Sequence, residues 1–325
     1  MNFSSMDYFV MVAQERSFTR AAERLHTTQQ TLSAHIANLE KEMGSRLFER
    51  SVPLELTYAG QVFLSYAIDF RRKRQALEQE MSDIADNQRG LLRIGIASTR
   101  GRTIMPTLIY AFQREHPFIS VKLVEAANDQ LRQALLDGEI DLAIANFPQA
   151  IPGMEVWDFY QEEVVLLAAQ SLLERLYGSS VEMVTEQIER DGLNVLEGCP
   201  FLLNGPQDIA GRIGRDLLAQ AGIIPHVAAE SSNVETLLEL CVLGAGACFC
   251  PENLVKAALP QHEMDTLAMF RLGKEGRYTI RFACLRQEHR WSILEGFMKS
   301  ALQHMASSEN VPNSEVNWGG RGEAG

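Results

Sequence analysis

The chain has 325 residues, 46% hydrophobic and 22% charged; these are the proportions of a soluble globular protein and exclude a wholly disordered, collagenous or membrane-embedded chain. At about 150 residues per domain, this length requires more than one domain. The net charge of −12 excludes a general polycation for nucleic acid, yet residues 1–90 are nearly neutral, with 11 Lys/Arg against 12 Asp/Glu, so a local nucleic-acid module remains open there.

Met6, Phe9, Val10 and Ala13 fall at i, i+3, i+4 and i+7, which predicts a first helix after Ser4 and Ser5. Ser17 is a suitable N-cap for a second helix, Phe18 to Leu25, with Ala21, Ala22 and Leu25 inward. After a turn at His26 and Thr27, Thr28 can cap a third helix. Its inward face is Leu32, Ile36, Leu39 and Met43, and Gly44 ends it. The outward face carries Gln29, Gln30, Ser33 and Ala37, small and amide-bearing side chains that let a helix approach another surface closely. A glutamine there can pair with an adenine edge in the major groove, Ser33 can reach phosphate, and the helix N-terminus attracts phosphate. Thr28, Gln29, Gln30, Thr31, Ser33 and His35 are therefore the candidate DNA contacts. A two-strand wing is expected from Leu47 to Thr57, with Arg50 facing the DNA backbone.

Phe18-Thr-Arg-Ala-Ala-Glu-Arg-Leu25, then Leu32-Ser, Leu39-Glu, Gly44-Ser-Arg-Leu-Phe-Glu-Arg50 and Leu56-Thr-Tyr-Ala-Gly60 resemble, in order and spacing, the LysR-type transcriptional regulators. The match departs at Gln30, where that family usually has Pro, and at Ala34, often Arg. A winged domain used for protein contact is the competing reading of the same residues.

Thr57 can cap a long helix running to Gln88, about 48 Å at 1.5 Å per residue. Phe63, Phe70, Leu77 and Ile84 recur every seven residues with Ala67, Arg74 and Met81 between them, a heptad seam with one charged intruder that should pair with a second helix. The resemblance agrees, since these regulators dimerise through this linker. A homodimer or homotetramer is expected, with Arg89-Gly90 as the hinge.

Beyond the hinge, strands are predicted at 92–97, 121–125 and 142–146, with helices at 102–115 and 129–136. A second set follows: strands 164–169, 201–203, 226–230 and 247–250, with helices 209–221 and 234–243. Strands near 267–272 and 278–285 and a helix at 290–305 should return to the first lobe. Such alternation calls for a mainly parallel sheet. The fold class expected is thus α/β with an N-terminal all-α winged helix-turn-helix and a long linker helix. The resemblance makes the remainder a two-lobed, periplasmic-binding-protein-like effector domain. Its boundaries are 1–60 for the DNA module, 57–89 for the linker and 91–305 for the effector domain. Lobe I takes about 91–163 and 268–305, lobe II about 164–267, and 306–325 is an aperiodic tail expected to be disordered.

A cleft between two such lobes is lined by strand ends and helix N-termini, where small anions and polar ligands bind. Ser98 and Thr99, with Arg100 and Arg102 following, Asn128, Asn146 and Phe147, Asn204, and Ser232 occupy such junctions. Ser98, Thr99, Asn128, Asn146, Phe147, Asn204 and Ser232 are the candidate contacts for a small polar or anionic metabolite, with Arg100 and Arg102 adding local positive potential that favours a carboxylate, although each contact could equally be a cap or turn residue of its own helix. The resemblance supports Ser98, Asn128 and Asn146 among them.

Other readings are weaker. No Gly-rich phosphate motif, HExxH or GxSxG is present, so no enzyme is expected. A solute-binding protein of a transport system would share the two lobes but not the N-terminal module. Cys199, Cys241, Cys248, Cys250 and Cys284 are odd in number and lack paired CxxC spacing, which supports neither disulfides nor zinc. No cofactor or metal is expected. No apolar run approaches the roughly 18 residues of a membrane helix, so the expected location is the cytoplasm, with double-stranded DNA as partner and no membrane.

Overall fold

The structure is a computed structural model that describes residues 3–49, 51, 53–85, 89–178 and 181–306. It separates into two compact units, the first chiefly residues 1–89 and the second residues 90–135, 140–286 and 293 onward.

In the first unit, α1 (Phe3–Glu15), α2 (Phe18–Arg24) and α3 (Gln29–Met43) surround a core of Met6, Phe9, Val10, Ala21, Ala22, Leu32, Ile36 and Leu39. The expected caps form: the Ser17 hydroxyl accepts from the Arg20 amide at 3.4 Å, and the Thr28 hydroxyl from the Thr31 amide at 3.1 Å. Gly44 closes α3 in the left-handed region at φ 66°, which costs a residue without a Cβ little. Met43, expected inward, is exposed on this last turn.

The wing pairs β1 (Phe48–Glu49) antiparallel with β2 (Glu55–Leu56). Glu40 of α3 anchors its start, its carboxylate accepting from the amides of Leu47 at 2.7 Å and Phe48 at 3.2 Å. Arg50 lies outside the described residues.

The linker helix α4 spans Tyr58–Ile84, with Thr57 as N-cap accepting from the Gly60 amide at 2.9 Å. Its last helical residue among those described is Ile84, and the expected end at Gln88 lies outside the described residues. The heptad seam is not uniform. Phe63 packs edge-on against Phe9 and Ala67 is buried in the same core. Arg74 turns back to Asp7 of α1 at 3.2 Å and stacks over Phe3. Phe70, Leu77, Met81 and Ile84 remain exposed. One register thus serves two surfaces, the chain's own core near the wing and an exposed apolar stripe beyond it.

In the second unit, β3 (Gly90–Ile96), α5 (Ser98–Glu115), β4 (Ile119–Glu125), α6 (Asn128–Leu136) and β5 (Leu142–Ala145) form lobe I. The next strand, β6, runs unbroken from Met154 to Ala169. Lobe II follows with α7 (Gln170–Tyr177), α8 (Val181–Asp191), a 3-10 turn (Gly192–Leu196), β7 (Pro200–Asn204), α9 (Ile209–Gln220), β8 (His226–Ser231), α10 (Val234–Val242), β9 (Ala247–Pro251), α11 (Glu252–Ala258), α12 (Gln261–Met264) and β10 (Leu267–Arg271). β11 (Arg277–Leu285) and α13 (Ser292–Ala306) complete the unit.

A single nine-stranded sheet runs β4-β3-β5-β11-β6-β9-β7-β8, with β10 also on β6. It is mixed rather than mainly parallel. β3 pairs parallel with β4 and β5, and β7 with β8 and β9. The central pairs β5·β11, β11·β6, β6·β9 and β6·β10 are antiparallel. The cause is β6, read from sequence as a lobe II strand starting at 164. Its first half pairs with β11 beside lobe I and its second half with β9 and β10 in lobe II, so it joins both lobes through one continuous backbone. Leu267–Arg271 therefore pairs with Val165–Ala169 and belongs with lobe II, and the return crossing is made by β11 alone.

Candidate functional site

The outward face of α3 is open. Gln29, Gln30, Ser33, Ala34 and Ala37 are all exposed, so this helix presents short and amide side chains without a covering layer. Thr28 and Thr31 are exposed too, but their hydroxyls lie 2.8 Å apart and the first is the N-cap, so both are partly committed to holding the first turn. His35 departs from expectation. It is half-buried, with its ring edge-on to Tyr8 at 4.9 Å, on the flank of α3 that packs against α1.

A cavity of about 670 Å³ opens between the two lobes, within the usual range for small-molecule sites. Lobe I lines it with Asn128 and Arg132 of α6 and with Asn146, Phe147 and Ile151 from the segment after β5, and lobe II with Pro206, Gln207 and Arg212 around the start of α9. Asn128 donates to the Asn146 carbonyl at 3.4 Å, and the Asn146 side chain donates to the Thr279 carbonyl of β11 at 2.9 Å. Two of the expected contacts are thus stitched together and to a crossing strand.

Arg281 of β11 lines the same cavity. The ladder between β11 and β6 shifts register between Ile280 and Arg281, so that Ile280 faces Tyr160 while Arg281 faces Asp158, leaving Phe159 unmatched. A bulge of this kind re-aims a side chain at a functional edge. Arg281 Nε donates to Asp158 at 2.6 Å, and its Nη1 donates to the Phe147 carbonyl.

The α9 rim is set by a close approach. A Cβ on Gly211 would meet the carbonyls of Gly205 and Asn204 at 2.6 and 2.8 Å, so only glycine lets the helix begin this near the end of β7. Asp208 caps α9 through the amides of Ala210 and Gly211 at 2.9 and 3.1 Å.

Not every expected residue reaches the cavity. Asn204 is buried off its lining, and neither its side-chain oxygen nor its nitrogen has a hydrogen-bond partner among the described residues. Ser232 is exposed and away from the cavity, in the turn before the Asn233 cap of α10. The side chains of Ser98 and Thr99 lie outside the described residues; their backbone begins α5.

Arg100 and Arg102 also depart from expectation. The guanidinium of Arg100 is buried, donating to Glu162 of β6 from Nε at 3.0 and 3.1 Å and from Nη2 at 3.0 Å. Arg102 forms an ion pair with Glu235 of α10. Neither side chain lines the cavity; both spend their charge holding elements of the unit together. The cavity's own cations, Arg132, Arg212 and Arg281, were missed. The signal available was position, since Arg132 falls one turn after Asn128 and Arg212 one turn after the Asp208 cap.

Among the described residues no group of three or more His, Cys, Asp or Glu side chains could hold a metal ion. The cysteines are buried. Burial pushes the Cys199 thiol up to about 11 and raises Cys250 as well, and a hydrogen bond with Cys241 raises Cys248, so these thiols resist becoming the reactive thiolate. No helix among the described residues is long and apolar enough to cross a membrane.

Residues 3–61 match the family model of bacterial regulatory helix-turn-helix proteins of the lysR family, and residues 85–306 match the LysR substrate binding domain. The chain is 31% identical over 264 residues to the uncharacterized HTH-type transcriptional regulator YcgK of Bacillus subtilis, covering 79% of this chain and 81% of that one. Among solved structures, full-length CbnR complexed with its target DNA is 26% identical at a TM-score of 0.58, covering 93% of this chain and 99% of that one. Full-length OxyR from Pseudomonas aeruginosa is 25% identical at a TM-score of 0.64, covering 93% and 94%. The helix-turn-helix module and the substrate-binding domain thus follow one another along the chain, and the chain belongs to the LysR family of DNA-binding transcriptional regulators.

Proposed function

We propose that this regulator reads duplex DNA with the exposed face of α3 and is switched by a small polar or anionic effector held in the interlobe cavity. The observation that carries the DNA assignment is the bare amide-bearing face of α3. Gln29 and Gln30 are its base readers, Ser33 and the α3 N-terminus bind phosphate, and Arg50 of the wing contacts the backbone. Thr28 and Thr31 act chiefly by holding the helix N-terminus in shape.

For the effector, the carrying observation is the roughly 670 Å³ cavity in which Asn128, Asn146 and Phe147 meet residues of the other lobe. Ser98 and Thr99, at the start of α5, complete the polar contacts in this reading. The division is 1–60 for DNA reading, 57–89 for dimerisation and 91–305 for effector binding, with the lobe boundary moved past Arg271. The exposed stripe of α4 supports a homodimer, or a tetramer built from dimers, acting in the cytoplasm where its DNA lies.

A ligand shifts an equilibrium only by its differential affinity for the two states, so cavity contacts must differ between the DNA-bound conformations. Footprinting with and without a bound ligand tests this directly. A changed protection pattern supports the switch, and an unaltered footprint with a saturating ligand overturns it.

A further inference from the structure

We infer that the molecule taken by the interlobe cavity is a dicarboxylate, with one acidic group held by Arg132 of lobe I and the other by Arg212 of lobe II. This rests on the proposed reading of the cavity as the effector site.

Three arginines line the cavity, but they are not equivalent. Arg281 is already neutralised by Asp158 and tied to the Phe147 carbonyl. Arg132 and Arg212 are exposed side chains that make no hydrogen bond or ion pair among the described residues. They stand on helices of opposite lobes, α6 and α9, and line one space. The single acidic side chain of the lining, Asp129, lies in the first turn of α6, where the positive end of the helix favours a carboxylate. It forms no ion pair with either guanidinium, although Arg132 is only three residues away.

Two guanidinium groups without an ion-pair partner among the described residues line one cavity, and each has the planar fork that matches a carboxylate bidentately. A single acid leaves one of them unanswered; a second acid on the same molecule answers both and links the lobes. One guanidinium per group suits a singly charged carboxylate. The acid excess of residues 91–325 outside the cavity opposes a more highly charged bisphosphate. Neutral Asn128, Asn146 and Gln207 are left to contact the chain between the two acids.

The test uses the full chain and a series of unbranched α,ω-dicarboxylates of increasing length, each beside its monoamide, followed by thermal shift and calorimetry. The expected result is an optimum chain length, with the diacid bound about tenfold or more tighter than its monoamide. Arg132→Gln and Arg212→Gln should each reduce the diacid to the monoamide's affinity. Failure of every diacid to bind, equal binding of diacid and monoamide, or a preference that survives both arginine variants overturns the inference. Asn128→Ala separates the two levels. If it abolishes binding of probes that do not discriminate diacid from monoamide, the cavity is the effector site and the dicarboxylate assignment is wrong. A diacid preference unaffected by all three variants removes the cavity reading too.

Discussion

Arg100 opens α5 in lobe I and clasps Glu162 on β6, the strand that crosses between the lobes, in a fork of three contacts at 3.0 to 3.1 Å with both partners buried. The carboxylate is saturated from other directions. Tyr160 donates to it at 2.6 Å and Asn253 of α11 at 3.3 Å, and Tyr278 of β11 donates as well. One buried anion thus ties lobe I, both crossing strands and lobe II.

Removing one partner of such a pair strands a charge in a low-dielectric site, which costs about 3 to 5 kcal/mol. Glu162→Gln should lose stability on that scale in urea denaturation of the full chain. A loss below about 1 kcal/mol, the level of a surface pair, would show that the cluster is not a structural tie.

The same carboxylate sets an acid limit. Burial by itself raises its pKa, but Arg100 and the hydrogen bonds from Arg100, Tyr160 and Tyr278 outweigh burial and hold it below its ordinary 4.5. A carboxyl depressed in the folded state takes up protons more readily when unfolded, so its stabilisation is complete above about pH 4.5 and is lost as pH falls from there. The difference in urea midpoint between the parent protein and Glu162→Gln should therefore narrow below that pH. A constant gap down to pH 3 contradicts the assignment.

Gln29 is exposed one residue past the Thr28 cap, at the end of α3 that enters a groove in this kind of motif. Replacing it with Ala should cost about 1 to 3 kcal/mol on the cognate site while leaving random-sequence affinity and its salt dependence nearly unchanged. Equal losses on both DNAs in a titration would remove Gln29 as a base reader.

Leu77 is 58% exposed on the outer half of α4, flanked by Phe70, Met81 and Ile84, which are also uncovered. Placing a carboxylate in the middle of that stripe, as Leu77→Asp, should shift sedimentation toward the monomer without lowering the stability of the single chain. Phe63→Ala should do the reverse, because Phe63 packs on Phe9 inside its own core. A fully dimeric Leu77→Asp protein would show that α4 is not the dimer arm.

The local chemistry of this chain was legible from residues alone. Ser17, Thr28, Thr57 and Gly44 each act within a few residues of the chain, so capping and a left-handed stop could be read from side-chain type and spacing, and with them the helix-turn-helix and the linker's start. Periodicity likewise placed the alternation of strands and helices after Gly90.

Pairing at long range was the part that only the tertiary structure decided. A near-continuous apolar run such as Val164–Ala169 does not reveal that its strand starts at Met154, because the earlier half is half-exposed and reads as a loop. Whether a neighbouring strand runs parallel or antiparallel depends on where the chain returns, and so sequence alone puts β10 and β11 in the same lobe. The same reason separated the arginines. Arg100 and Arg132 look alike in sequence, but Arg100 meets a carboxylate sixty-two residues away and is consumed in the core, whereas Arg132 pairs with none among the described residues and lines the cavity. Charge is a property of the residue, and its availability is a property of the fold.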